Sequence, residues 1–164
     1  MILPSGYAKG ERKGIDSMEH RVVIDASTAL KWQFKDESEL EEAVNLLLDY
    51  KESKVVFIVP ALFYYEITNA IHIAVKRQRM SEGEGEEILE DMLSIETSSE
   101  ASPDIIRSAY RKARKFNISV YDAVYVALSE KNKVLFYTGD KRLYNAIREK
   151  DRFIRWIGDY KKIK

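Results

Sequence analysis

The chain of 164 residues contains no cysteine. That excludes a disulfide scaffold, a thiol nucleophile, a thiolate zinc site and an iron–sulfur cluster. Histidine is nearly absent too: His20 and His72 are the only two, too few for a histidine-rich metal centre. A metal site here must be built from carboxylate oxygens, a donor set that suits Mg²⁺ or Mn²⁺. Charge of one sign is also missing, since 27 basic residues balance 27 acidic ones. The balance argues against a uniformly basic nucleic-acid binder but leaves room for local basic patches. The longest apolar run, Val55 to Tyr65, has eleven residues and contains Pro60, about half of what a membrane-spanning helix needs. Glutamine is scarce, with Gln33 and Gln78 only, and Lys, Glu and Arg are abundant, a composition consistent with a heat-adapted cytoplasmic protein.

What is present suits a single folded domain. Hydrophobic residues make up 45% of the chain, enough for a core. Residues 1–20 are polar, lack the apolar centre of a secretory leader, and read as a flexible extension before one domain over 21–164. Short β-branched runs alternate with helical patterns. Arg21 to Asp25, Val55 to Val59, Lys133 to Tyr137 and Phe153 to Trp156 read as strands, with a further short one at Glu96 to Ser99. Ser27 or Thr28 is expected to cap a short helix, and Ser38 with Glu41 to form a capping box. Pro60 is expected in the first turn of a helix, or just before it, that runs to about Gln78. Helices also follow Ser81, Ser102-Pro103, Ser119 and Asp140, the first of them weakened at its start by Gly83 and Gly85. This alternation predicts an α/β fold with a central parallel sheet covered by helices on both faces. In such sheets ligands bind beyond the carboxyl ends of the strands.

Four acids stand where that edge would be. Asp25 and Asp140 each follow a strand, Asp122 begins a helix, and Glu66 lies among Phe63, Ile67 and Ala70 inside an apolar helix. Each has a structural alternative. Asp25 and Asp140 could be helix N-caps, and Asp122, three residues after Ser119, a capping-box acid. Glu66 is the hardest to explain structurally, because an ionised carboxylate among apolar neighbours is costly unless paired. Carboxylates gathered in one place repel one another and stay ionised only around a cation.

The segments carrying these acids are VVIDASTALKW (22–32), YYEITNAI (64–71), ISVYDAVYVALSE (118–130) and YTGDKRL (137–143). In content and order they resemble the PIN-domain ribonucleases, and especially the VapC-like toxins of toxin–antitoxin pairs. Ser129-Glu130 departs from the family's usual pair of small residues. The resemblance implies a PIN-like three-layer α/β/α fold and Mg²⁺- or Mn²⁺-dependent cleavage of single-stranded RNA. It assigns Asp25, Glu66, Asp122 and Asp140 as the catalytic acids. Asp25 and Asp122 would bind one metal directly, and Asp140 directly or through water. Glu66 would orient a water or help hold a second metal. Ser27 and Thr138 would support the acids beside them, with Asn69 a recurrent neighbour of the Glu. A homodimer and a VapB-like antitoxin are the implied protein partners.

Arg107, Arg111, Arg114 and Lys115 form a basic stripe on one predicted helix, and Lys76, Arg77 and Arg79 end another. Both are candidate RNA-binding groups, and the simpler reading of each is a solvated face. No P-loop and no dinucleotide fingerprint is present. A small-molecule phosphohydrolase is disfavoured because Ser27 stands where its second aspartate would be. A non-cleaving RNA- or protein-binding module and an RNA-processing nuclease are the other readings.

Overall fold

The structure is a computed structural model that describes residues 20–33 and 38–163. The expected extension, residues 1–20, lies outside the described residues apart from His20.

The elements run β1 (Arg21–Ile24), α1 (Ala26–Leu30), α2 (Leu40–Lys51), β2 (Val56–Pro60), α3 (Leu62–Lys76) and α4 (Glu82–Leu93). They continue with β3 (Thr97–Glu100), α5 (Pro103–Phe116), α6 (Val120–Asn132), β4 (Phe136–Thr138), α7 (Lys141–Ile147) and β5 (Ile154–Trp156). The five strands form one sheet in the order β3-β2-β1-β4-β5, and every neighbouring pair is parallel. Helices cover both faces, as the alternation predicts. Continuous apolar strands are what a sheet buried on both sides requires: Val23, Ile24, Phe57, Ile58 and Val59 are fully buried.

The strand order reverses at β1, which pairs with β2 on one side and β4 on the other. That reversal is the topological switch point, where the loops leaving adjacent strands diverge and open a crevice. The loops after β1 and β4 begin with Asp25 and Gly139-Asp140. Sheet topology therefore brings together two acids that lie far apart in the chain.

Local differences from the expected elements have identifiable causes. Asp25 itself caps α1, its Oδ1 accepting the Thr28 N–H, so neither Ser27 nor Thr28 does. The Ser38 capping box does not form: α2 starts from Glu39 in the left-handed region at φ 57°, with no side-chain cap. Lys31 explains why, since its Nζ donates to the Ser38 carbonyl at 2.8 Å and to the Glu39 carboxylate at 3.3 Å. Pro60 is the last residue of β2 and stands just before α3, which starts at Leu62 after Ala61. The Ser81 box does form, closing with Glu84 at the start of α4.

One acid the motifs pass over is structural. Asp49 is fully buried, and its Oδ2 accepts the Tyr160 hydroxyl at 2.6 Å and the Ile163 N–H at 2.8 Å. It fastens the C-terminal segment onto α2.

Candidate active site

Asp25 is the best-held of the four acids. Its side chain sits at the carboxyl end of the central strand and is buried. Oδ1 accepts the Ser27 hydroxyl at 2.7 Å and the Thr28 N–H at 2.9 Å, and Oδ2 accepts the Thr138 hydroxyl. An ionised carboxylate offers about four lone-pair sites. Three are filled, and the open one is on Oδ2. Burial raises the Asp25 pKa above its ordinary value, even though the bonds from Thr138, Ser27 and Thr28 pull the other way.

Thr138 and Ser27 bind the two loops together. The Thr138 hydroxyl donates to Asp25 and accepts the Asp140 N–H at 3.0 Å, while the Ser27 hydroxyl accepts the Gly139 N–H at 3.0 Å. Gly139 has no room for a side chain, since a Cβ there would lie 3.1 Å from the Ser27 carbonyl oxygen and 2.8 Å from Lys31 Cε. Ser27 and Thr138 thus both donate to the Asp25 carboxylate.

Asp140 carries two functions at once. Its Oδ1 accepts the Arg142 and Leu143 N–H groups at 2.8 and 3.0 Å, capping α7, and its Oδ2 lies 3.3 Å from Arg142 Nη2. Asp122 follows Ser119, whose hydroxyl accepts the Asp122 N–H at 3.0 Å. The carboxylate does not return to the N-cap to complete a box. It accepts from Arg142 Nη2 at 3.1 Å instead. One guanidinium thus bridges the acids from α6 and α7.

Glu66 enters from α3. Its Oε2 accepts the hydroxyl of Tyr125, a buried side chain of α6 stacked on Phe136 of β4. Burial raises the Glu66 pKa, the Tyr125 bond offsets part of the rise, and the charges of Asp25 and Asp122 add to it. Tyr125 is also held neutral, its pKa raised by burial and by Glu66. Asn69 is exposed on α3, three residues beyond Glu66.

The four acids therefore come from four segments to one sheet edge, and the charges of Asp25 and Asp122 reach Glu66. They do not form a closed ligand set: among the described residues no three His, Asp or Glu side chains are grouped to hold an ion. Arg142 supplies positive charge between Asp122 and Asp140. The donors nevertheless suit a hard divalent cation. All are carboxylates, and Asp25 Oδ2 accepts only the Thr138 hydroxyl.

Sequence patterns passed over Arg142 and Tyr125. Both lie inside recognised segments, Arg142 two residues after Asp140 and Tyr125 three after Asp122. The Tyr125 spacing is a usable signal, because a side chain one helical turn from an acid shares its face.

A family model described as PIN domain matches residues 22–149. The chain belongs to the PIN-domain family. This bears out the resemblance carried by the four segments. A curated relative, Ribonuclease VapC3 of Pyrobaculum aerophilum, is 28% identical over 127 residues, which cover 75% of this chain and 92% of the relative. Among solved structures, the Pyrobaculum aerophilum protein PAE2754 superposes with a TM-score of 0.61 at 18% identity, over 84% of this chain and 91% of that one. A toxin–antitoxin complex from Klebsiella pneumoniae gives a TM-score of 0.55 at 13% identity, over 82% and 95%. At these identities the two structures speak for the PIN fold. No helix among the described residues is long and apolar enough to cross a membrane.

Proposed function

We propose that this PIN-domain protein, acting as one domain over residues 21–164, is a metal-dependent endoribonuclease that cleaves single-stranded RNA. We further propose that it is the toxin of a toxin–antitoxin pair. The observation that carries the reading is the linkage of acids from separate elements at the switch point: Thr138 joins Asp25 to the Asp140 N–H, and Arg142 joins Asp140 to Asp122. The near-full-length relationship to Ribonuclease VapC3 supports the same chemistry.

In this reading Asp25, Asp122 and Asp140 hold Mg²⁺ or Mn²⁺, with Glu66 beside them. When bound, the cation neutralises charge developing on the phosphodiester and lowers the pKa of water at the site. The chain's own residues prepare that place. Thr138 and Ser27 fix the rotamer of Asp25 and leave one oxygen site open. Tyr125 donates to Glu66 and orients its carboxylate toward the other acids. Arg142, exposed and held by Asp122 and Asp140, supplies positive charge beside the acids and would be within reach of a substrate phosphate there.

The basic residues Arg107, Arg111, Arg114 and Lys115 add weaker RNA binding on α5, where all four are exposed. A VapB-like antitoxin is the proposed protein partner, and a homodimer the proposed assembly. Tyr65, 74% exposed on α3, is part of the surface available to either.

The test is cleavage of single-stranded RNA by the Asp25→Asn and Asp122→Asn variants with Mg²⁺ present. Each substitution removes a metal-binding charge and keeps the side-chain shape. Loss of cleavage in two folded variants is the expected outcome, and wild-type rates in both would overturn the mechanism.

A further inference from the structure

The charge of this balanced chain is unevenly spread. Residues 141–164 hold nine basic side chains and three acidic ones, against a total of zero for the whole sequence. This positive segment starts at the acidic centre, because Asp140 caps α7 and Lys141 is the first residue of that helix. Its strand, β5, comes back to the same place. Trp156 of β5 pairs with Thr138 of β4, the residue that holds Asp25, and neighbouring strands lie about 4.8 Å apart.

Trp156 and α7 meet in a row of rings and cations. Lys141 Nζ stands 5.9 Å from the centre of the Trp156 ring, that ring lies 5.9 Å from Tyr144, and the Arg148 guanidinium stands 5.9 Å from the Tyr144 ring. Lys141, Tyr144 and Arg148 are spaced three and four residues apart, which is one stripe of a helix. They span about 10 Å along its axis. Both rings are half-buried and both cations exposed, so packing fixes the rings while part of each stays open. Gly158 backs the indole, since a Cβ there would lie 2.5 Å from Trp156 Nε1. The cations are lightly engaged. Lys141 makes no ion pair among the described residues. Arg148 Nε lies 3.5 Å from Glu149, whose side chain is 85% exposed, a pair too well solvated to hold it firmly. Glu39 also approaches Gly158, but its carboxylate accepts from Lys31. Rings offer faces to bases and cations offer charge to phosphates, and the two in alternation are what a single strand of nucleic acid requires.

We propose that Trp156 and Tyr144 form a stacking platform for a base of the RNA substrate on the β5 side of the acidic centre, with Lys141 and Arg148 holding the phosphates that flank it. The proposal rests on the ribonuclease reading above and adds substrate-positioning residues to it.

The test uses the full chain with Asp25→Asn, so that RNA is bound but not cut. Trp156 supplies its own probe. The only other tryptophan, Trp32, is fully buried with its N–H on the Ala43 carbonyl, so a base stacking on the protein quenches the emission of Trp156. Binding of a labelled single-stranded oligoribonucleotide is followed by anisotropy across a salt series, and binding of the unlabelled strand by tryptophan emission. Emission of the parent should fall in step with saturation. Trp156→Phe should still bind and show no quenching. Trp156→Ala should weaken binding roughly tenfold, within the range that one stacked base contributes. Lys141→Gln with Arg148→Gln should flatten the plot of log affinity against log salt by about 1.4, because each phosphate neutralised on a single strand contributes about 0.7 to the slope. Lys131→Gln with Lys133→Gln makes the same charge change at the far end of α6 and should leave the slope close to the parent.

Single-stranded RNA that binds the parent without quenching Trp156 overturns the platform and leaves the ribonuclease reading standing. A Lys131/Lys133 effect equal to the Lys141/Arg148 effect also overturns it, as a response to net charge. Equal quenching by a blunt RNA duplex, whose bases are already stacked on one another, overturns it as well. A parent that binds no single-stranded RNA at any salt concentration removes the ribonuclease reading and the platform together.

Discussion

Thr138 carries the sharpest prediction at the scale of a single residue. Its hydroxyl joins the Asp25 carboxylate to the Asp140 N–H across the switch point, and it is fully buried. Thr138→Val keeps the shape and removes both bonds. Leaving a buried charged acceptor short of a partner costs about 1–3 kcal/mol, so urea denaturation should show a lower midpoint with an unchanged slope. Arg142 gives a prediction of the opposite kind. Its guanidinium competes for Asp122 and Asp140, but its side chain is 68% exposed, and ion pairs so well solvated are worth about 0–1 kcal/mol. Arg142→Ala should therefore tighten Mn²⁺ binding only modestly, by up to about fivefold, as read by calorimetric titration. Weaker Mn²⁺ binding in that variant would mean that Arg142 helps to build the metal site rather than standing in for the cation.

At the scale of elements, the paired glycines of α4 separate packing from propensity. The sequence treats Gly83 and Gly85 alike, and the structure divides them. Gly83 has nothing within 4 Å of where a Cβ would be, whereas a Cβ on Gly85 would lie 2.7 Å from Val75 Cγ2 on α3. Gly83→Ala should stabilise the protein by about 0.8–1 kcal/mol, the propensity difference between Gly and Ala. Gly85→Ala should destabilise it by about 1–3 kcal/mol, because a branched side chain has to give way in a packed interface. Thermal melts of the two variants should shift in opposite directions. The strands and most helix starts are legible in the sequence because β-branched runs and Ser or Asp caps are local signals. The Glu39 start is not, because Lys31, eight residues earlier, decides how α2 begins. Of the two places expected for Pro60, pairing with Glu100 of β3 decides for the one just before α3.

The whole molecule converts local signals into a site. Asp25, Asp122, Asp140 and Glu66 are readable one by one, as acids at strand ends and within helix starts. Their convergence depends on the strand order, which no single segment encodes. Arg142 depends on it too. A guanidinium two residues from its own cap reaches Asp122, twenty residues back, only because α6 and β4 meet at the same edge. The central claim is that these acids act through a divalent cation on RNA. The most direct measurement is cleavage of single-stranded RNA by protein stripped with EDTA, before and after Mg²⁺ is restored, alongside Asp122→Asn under the same conditions. The predicted result is no cleavage without metal, recovery on adding Mg²⁺ or Mn²⁺, and none in the variant under either condition. Cleavage that proceeds equally well in EDTA, or that survives in Asp122→Asn, would contradict it.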